Sequence, residues 1–258
     1  MKLTWFGTAG FRIETGKHTI LIDPYFTRNE NAVPQQLMLP SDIEDTHLIF
    51  ISHGHFDHIY DVPEIASKTK AIVYCGKGID RTLILKGLKK DLIHCVVSDG
   101  EAISFKGLEA QAFYSKHVQF DRWLLIKTLA RINFRLPRYL PLIREYPEGQ
   151  VLSWRFIIEG KIIHHFGSAG STPDELERLG KQSTDILLVP MQGHTLIDQI
   201  AHKYVKALQP KMVIPHHQDN FYPPISTLVN TKTFTEGVKQ TNPDTAIRIL
   251  ELNEIVEL

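Results

Sequence analysis

Apolar residues in this chain recur in two rhythms. Short continuous runs, such as Leu48-Ile49-Phe50-Ile51 and Met212-Val213-Ile214-Pro215, empty into Ser, Gly or His and read as buried strands. On this pattern strands are expected at residues 2–6, 11–15, 18–22, 47–52 and 70–75, then at 185–190, 211–215 and 246–251. The run from Leu108 to Tyr114 is strand-like as well. Helical spacing appears at 61–67 and 78–88, where Ile79 and Leu83 fall about one turn apart. Thr172-Pro173-Asp174-Glu175 opens a further helix, with Thr as cap, Pro in the first turn and Glu closing a capping box. Two more helices are expected at 198–208 and 226–238. Strands interleaved with helices predict an α/β (α+β) chain whose sheets are covered by helices.

One segment breaks that alternation. Between His117 and Val151, Lys127, Arg131 and Arg135 recur every four residues among apolar neighbours, which places them on one helical face. Pro137 and Pro141 are expected to stop that helix. The segment, about 118–150, reads as a basic, apolar lid inserted beside His117. Such a helix suits an anionic, amphiphilic substrate, a membrane surface or a dimer contact. A charge stripe equally well keeps a packed helix solvated.

Composition narrows the classes. A chain of 258 residues that is 43% hydrophobic can bury one large core, and we treat 1–258 as a single domain. Lys+Arg and Asp+Glu number 29 each, so no global field selects nucleic acid or acidic lipid. No apolar run reaches bilayer-spanning length, and the chain opens on a strand rather than a signal-peptide core. Two cysteines, Cys75 and Cys95, make no disulfide framework. A cytoplasmic protein acting on a small molecule is the simplest expectation, with homo-oligomerisation left open.

The densest chemistry is His53-Gly54-His55-Phe56-Asp57-His58, directly after a predicted strand. Three imidazoles and a carboxylate at the mouth of one strand suit a borderline divalent ion. The alternative, solvated loop histidines, fits poorly with so compact a motif. Six residues cannot enclose an ion, so further donors are needed. His117 and His217 each follow a predicted strand, the second through Pro215-His216, and both are candidates. His164-His165 reads as strand packing with one outward neighbour.

These residues together resemble the metallo-β-lactamase fold superfamily of metal-dependent hydrolases. Gly7-Thr8-Ala9-Gly10 and Ile22-Asp23-Pro24 are similar to that family's opening turns, and Ser52 to His58 matches its signature motif. Pro190-Met191-Gln192-Gly193-His194 and Pro215-His216-His217 are similar to its later segments. Within the superfamily the chain resembles most the ascorbate-6-phosphate lactonases and N-acyl-phosphatidylethanolamine phospholipases D.

The resemblance implies a four-layer αββα sandwich. It groups His53, His55 and His117 around one ion, and Asp57, His58 and His217 around another. Zinc is expected first, with manganese or iron as alternatives for the same donors. Ser168 stands where the family carries an Asp that bridges two metals, and Thr8 where relatives often carry a His. A hydroxyl brings no charge at neutral pH, so occupancy of one ion or two is left open. The expected chemistry is attack by metal-bound hydroxide on a phosphoester or lactone/ester bond. Asp57 doubles as the catalytic base if only one ion binds, His194 acts as acid or substrate donor, and Lys127, Arg131 and Arg135 bind the anion. The competing reading is a catalytically impaired metal-binding or ligand-sensing protein on the same fold, and a third is an iron-based redox role.

Overall fold

Most strands are apolar on both sides, and the architecture follows from the need to cover both. The computed structural model describes residues 1–133 and 136–258. The first half lays down β1 (Lys2–Gly7), β2 (Gly10–Glu14), β3 (Thr19–Ile22), β4 (Leu48–Phe50), β5 (Ile72–Cys75) and β6 (Ile93–Cys95). The second adds β7 (Glu101–Phe105), β8 (Leu108–Tyr114), β9 (Leu152–Ile158), β10 (Lys161–Phe166), β11 (Ile186–Pro190), β12 (Met212–His216) and β13 (Ala246–Ile247). The last strand, β14 (Ile255–Glu257), returns to pair with β1.

Two mixed sheets result, in the orders β14-β1-β2-β3-β4-β5-β6 and β13-β12-β11-β10-β9-β8-β7. Each is antiparallel up to one strand, β3 or β10, and parallel beyond it. Between the sheets lies a core in which Ile20, Ile22, Leu48 and Phe50 meet Trp154, Phe156, Leu188 and Ile214. Phe50 packs edge-on to Trp154 and Phe156 at 4.9 and 5.0 Å, an arrangement aromatic quadrupoles favour.

The alternate side chains turn outward and meet helices. Leu21, Ile49, Ile51 and Val73 pack under α1 (Phe56–Ile59), α2 (Val62–Thr69) and α3 (Ile79–Leu85). Two further helices, α4 (Arg122–Ile132) and α5 (Leu136–Glu145), follow β8. Leu187, Val189 and Val213 pack under α6 (Pro173–Gly180), α7 (Ile197–Leu208) and α8 (Lys232–Thr241). This is the expected αββα sandwich. Double coverage is why the strands read as continuous apolar runs.

Several local expectations need correction. Pro141 lies inside α5 and Pro137 in its first turn; the break comes earlier, at Asn133, whose φ is +50°. A first-turn Pro loses no helical bond, so Pro137 is tolerated there. Of the expected Lys127, Arg131, Arg135 stripe, Lys127 and Arg131 lie on α4, and Arg135 lies outside the described residues. Thr172 does cap α6, accepting from Glu175 N at 3.2 Å, but the Glu175 carboxylate takes the Ser171 hydroxyl instead of closing a box. The last helix begins at Lys232, not 226, since Pro223 and Pro224 hold the preceding chain in a turn. His164 and His165 are both buried: β10 is sandwiched, so neither of its faces reaches water.

Candidate metal centre

The loops that leave β4, β8, β10 and β12 meet at one edge of the sandwich. Leu152 N donates to Ser52 O at 2.7 Å, and the Trp154 indole donates to Ile51 O at 2.9 Å, tying the end of β4 to the second sheet. From there the chain turns into α1, with His55 as its N-cap residue and Asp57 and His58 inside it. Gly54 is required at the turn. Its N–H donates to Glu148 O at 2.7 Å, and a Cβ there would strike the Pro147 carbonyl.

His53, His55 and His117 bring ring centroids to within 4.6–4.9 Å of one another. Their donor atoms form one group of three, and those of Asp57, His58 and His217 a second, each group within 4.8 Å. Asp57 Oδ2 lies 3.3 Å from His217 Nε2 and 3.7 Å from His58 Nε2. The two groups adjoin, since His53 and His58 have ring centroids 3.8 Å apart.

Neighbouring groups orient these donors. His117 Nδ1 is 2.8 Å from Val118 O, so the tautomer that donates there leaves Nε2 for a ligand. His58 Nδ1 is 2.9 Å from Asp23 Oδ2, and Asp23 also accepts from Ser52 N at 2.7 Å and Ser52 Oγ at 2.5 Å. A carboxylate behind a ligating imidazole is the usual outer support of a metal site. His217, in the left-handed region at φ +60°, donates its N–H to Thr8 O at 2.8 Å. Thr8 N in turn donates to both oxygens of Asp219 at 3.0 Å, and Asp219 pairs with Arg28 at 2.7 Å. Both members of that ion pair are buried.

Electrostatics favour a cation between the groups. Burial, reinforced by the surrounding imidazoles, holds His53 and His55 below the ordinary histidine range and His117 down at about 3. Burial alone would raise Asp57, but His58, His217 and His55 outweigh it and keep the carboxylate ionised. Burial likewise opposes charge on His58, yet Asp57 and Asp23 prevail and raise it. Neutral imidazoles and an ionised carboxylate are the forms that bind divalent metals, so an ion in the second group competes with the proton on His58, and the buried His217 Nδ1 has no hydrogen-bond partner among the described residues. The donor set fits a divalent ion.

The remaining candidates sit around this cluster. Ser168 Oγ accepts from Val118 N at 2.9 Å, beside His117. His194 lies outside both groups; its Nδ1 accepts from Leu196 N at 3.0 Å and is 3.4 Å from Asp121 Oδ2. A cavity of about 1170 Å³ opens on this side, lined in part by Lys116, His117, His194, Lys203 and Lys206. Lys127 and Arg131 are exposed on α4 and do not line it. Residue patterns had given Asp23 no role and had not singled out Arg28 or Asp219. Asp23 carries a legible signal, an acid closing the apolar run Ile20-Leu21-Ile22, whereas Arg28 carries none.

Comparison with known proteins identifies the family. The beta-lactamase superfamily domain matches residues 2–217, a span that holds all six clustered residues, and the chain belongs to that superfamily of metal-dependent hydrolases. A UPF0173 metal-dependent hydrolase of Pyrococcus abyssi is 30% identical over 228 residues, covering 88% of each chain, which sets this protein among the UPF0173 hydrolases. A second such hydrolase, from Methanopyrus kandleri, is 27% identical over the full length of both chains. Among solved structures, Igni18, a metallo hydrolase of Ignicoccus hospitalis, superposes with a TM-score of 0.71 at 24% identity, covering 99% of this chain and 97% of that one. An isothiocyanate hydrolase from Delia radicum gut bacteria superposes at 0.67 with 14% identity, over 100% and 99% of the two chains. These two likenesses concern the fold.

Proposed function

We propose that the two groups hold one or two divalent ions, zinc first among them, and that the chain hydrolyses a phosphoester or a lactone/ester bond in an anionic substrate. The observation that carries the reading is the adjacency of two three-donor groups beside a cavity lined by Lys116, Lys203 and Lys206. When bound, such an ion lowers the pKa of water towards neutrality and stabilises negative charge on oxygen. His53, His55 and His117 supply neutral nitrogens to the first ion; Asp57, His58 and His217 supply the second. Ser168 offers an uncharged oxygen already engaged by Val118 N, so the second group fills at higher metal concentration than the first. With only the first filled, Asp57 would be uncommitted to a metal and would serve as the proton acceptor. His194, at the rim of the cavity with Nδ1 taken by Leu196 N, would donate one to the leaving group from Nε2.

The likeness to ascorbate-6-phosphate lactonases and N-acyl-phosphatidylethanolamine phospholipases D supports the choice of bond. Screening lactones and phosphodiesters against zinc- and manganese-loaded protein tests it. Turnover that disappears in His53→Ala is expected. Turnover that survives in metal-stripped His53→Ala overturns the proposal, and stable metal without any turnover favours a ligand-sensing role.

A further inference from the structure

Helix α4 is anchored at its first residues and otherwise nearly bare. Asp121 caps it, accepting from Trp123 N and Leu124 N, and ties it to the neighbouring loop by accepting from Thr195 N at 2.6 Å and Thr195 Oγ1 at 2.8 Å. Along the helix only Ile132 is buried, with Leu124 and Thr128 half-buried on the same side. Trp123, Leu125, Ile126 and Leu129 are 68%, 46%, 56% and 52% exposed. At 100° per residue these four and Ala130 fall within one arc of about 160°, with Lys127 and Arg131 along one flank and Arg122 within the arc at its N-terminal turn. Beyond the cap the helix carries no acidic residue. Phe120 and Leu196, both about half exposed, continue the apolar surface on the Asp121 side.

We propose that this face lies on an anionic lipid bilayer. An apolar arc with an interfacial Trp and a cationic border is the pattern of helices that rest in the headgroup layer. The charge is local: the whole chain is formally neutral, yet α4 beyond its Asp121 cap carries three cations and no acidic residue. A second copy is the weaker occupant, because an isologous contact would set Arg122, Lys127 and Arg131 against their own duplicates. The inference stands apart from the proposed chemistry, though it places the bilayer beside His117, whose ring lies 5.8 Å from that of Phe120.

The test uses the full chain with vesicles of phosphatidylcholine alone or with added phosphatidylglycerol. Trp5 and Trp154 are 3% and 0% exposed, so a shift in tryptophan emission reports Trp123. Co-sedimentation with the anionic vesicles, a blue shift, and weakening as salt rises are expected. The double variant Lys127→Gln/Arg131→Gln should bind about 25-fold more weakly, at roughly fivefold per cation. Leu129→Glu, at an exposed position, should abolish binding while circular dichroism stays native. No partition onto anionic vesicles, or equal binding to neutral ones, overturns the proposal. So does a lipid-independent dimer that Trp123→Ala dissociates, which would assign the face to a second copy.

Discussion

Removing the Asp219 carboxylate should cost stability and loosen His217 together. Asp219 and Arg28 form a buried pair at 2.7 Å, and Asp219 also holds Thr8 N, whose carbonyl receives His217 N–H. In Asp219→Ala the guanidinium stays buried without its partner, a change that costs about 3–5 kcal/mol. Against a typical total of about 5–15 kcal/mol this is a large share. For a chain near this size it lowers Tm by roughly 6–20 °C, at about 2–4 °C per kcal/mol. The same variant frees the Thr8 turn, so affinity of the second group for zinc should fall by about tenfold, the lower end for outer supports of metal ligands. The double variant Arg28→Met/Asp219→Leu removes both charges and should recover much of the stability. It should not recover the affinity, because Thr8 N still lacks its acceptor. Calorimetric unfolding and zinc titration of the three proteins separate the effects. A loss under about 1 kcal/mol in Asp219→Ala, or unaltered zinc affinity, refutes the argument.

Three further outcomes follow from the same structure. Asp23→Ala leaves His58 Nδ1 without its acceptor and should weaken metal binding about 10–100-fold in a competition titration; wild-type affinity would show that Asp23 is only structural. Gly54→Ala drives a methyl into the Pro147 carbonyl and should destabilise the chain by about 1–3 kcal/mol, measured by urea unfolding, where an unchanged midpoint would be the contrary result. Burial above all lowers His164 to about 3 and His165 to about 4, so the unfolded chain takes up these protons first as pH falls. Their contribution is complete above the unfolded value near 6.5 and declines as pH drops towards 4, by about 1.4 kcal/mol per pH unit for each histidine. Stability that stays flat from pH 6.5 to 5 would contradict that neutral, buried pair.

The framework was readable where a residue's own neighbours determine its state. Ile49 and Phe50 had to be buried on opposite sides of one strand, and Thr172 could cap a helix without help from afar. The motif from His53 to His58 was legible because one strand end brings four donors together, and His117 and His217 because each follows a strand of its own. What stayed hidden depends on distant chain. Arg28 gains meaning only when Asp219 arrives from the other half of the molecule. Gly54 is explained only by the return of Pro147 and Glu148 after α5. Pro141 looked like a stop because local propensity penalises it, yet α5 continues through it, with Tyr139 packed edge-on to Tyr222 at 6.1 Å. His164 and His165 seemed to split between inside and outside until two layers closed over β10.

The most direct test of the account is metal content per chain, by elemental mass spectrometry on untagged protein purified without chelator. We expect between one and two equivalents of zinc or another divalent ion, with His117→Ala depleting the first group and His217→Ala the second. Protein that holds no metal even after reconstitution, or a His53→Ala/His217→Ala double variant that keeps the full complement, would contradict the assignment of these six residues as the metal centre.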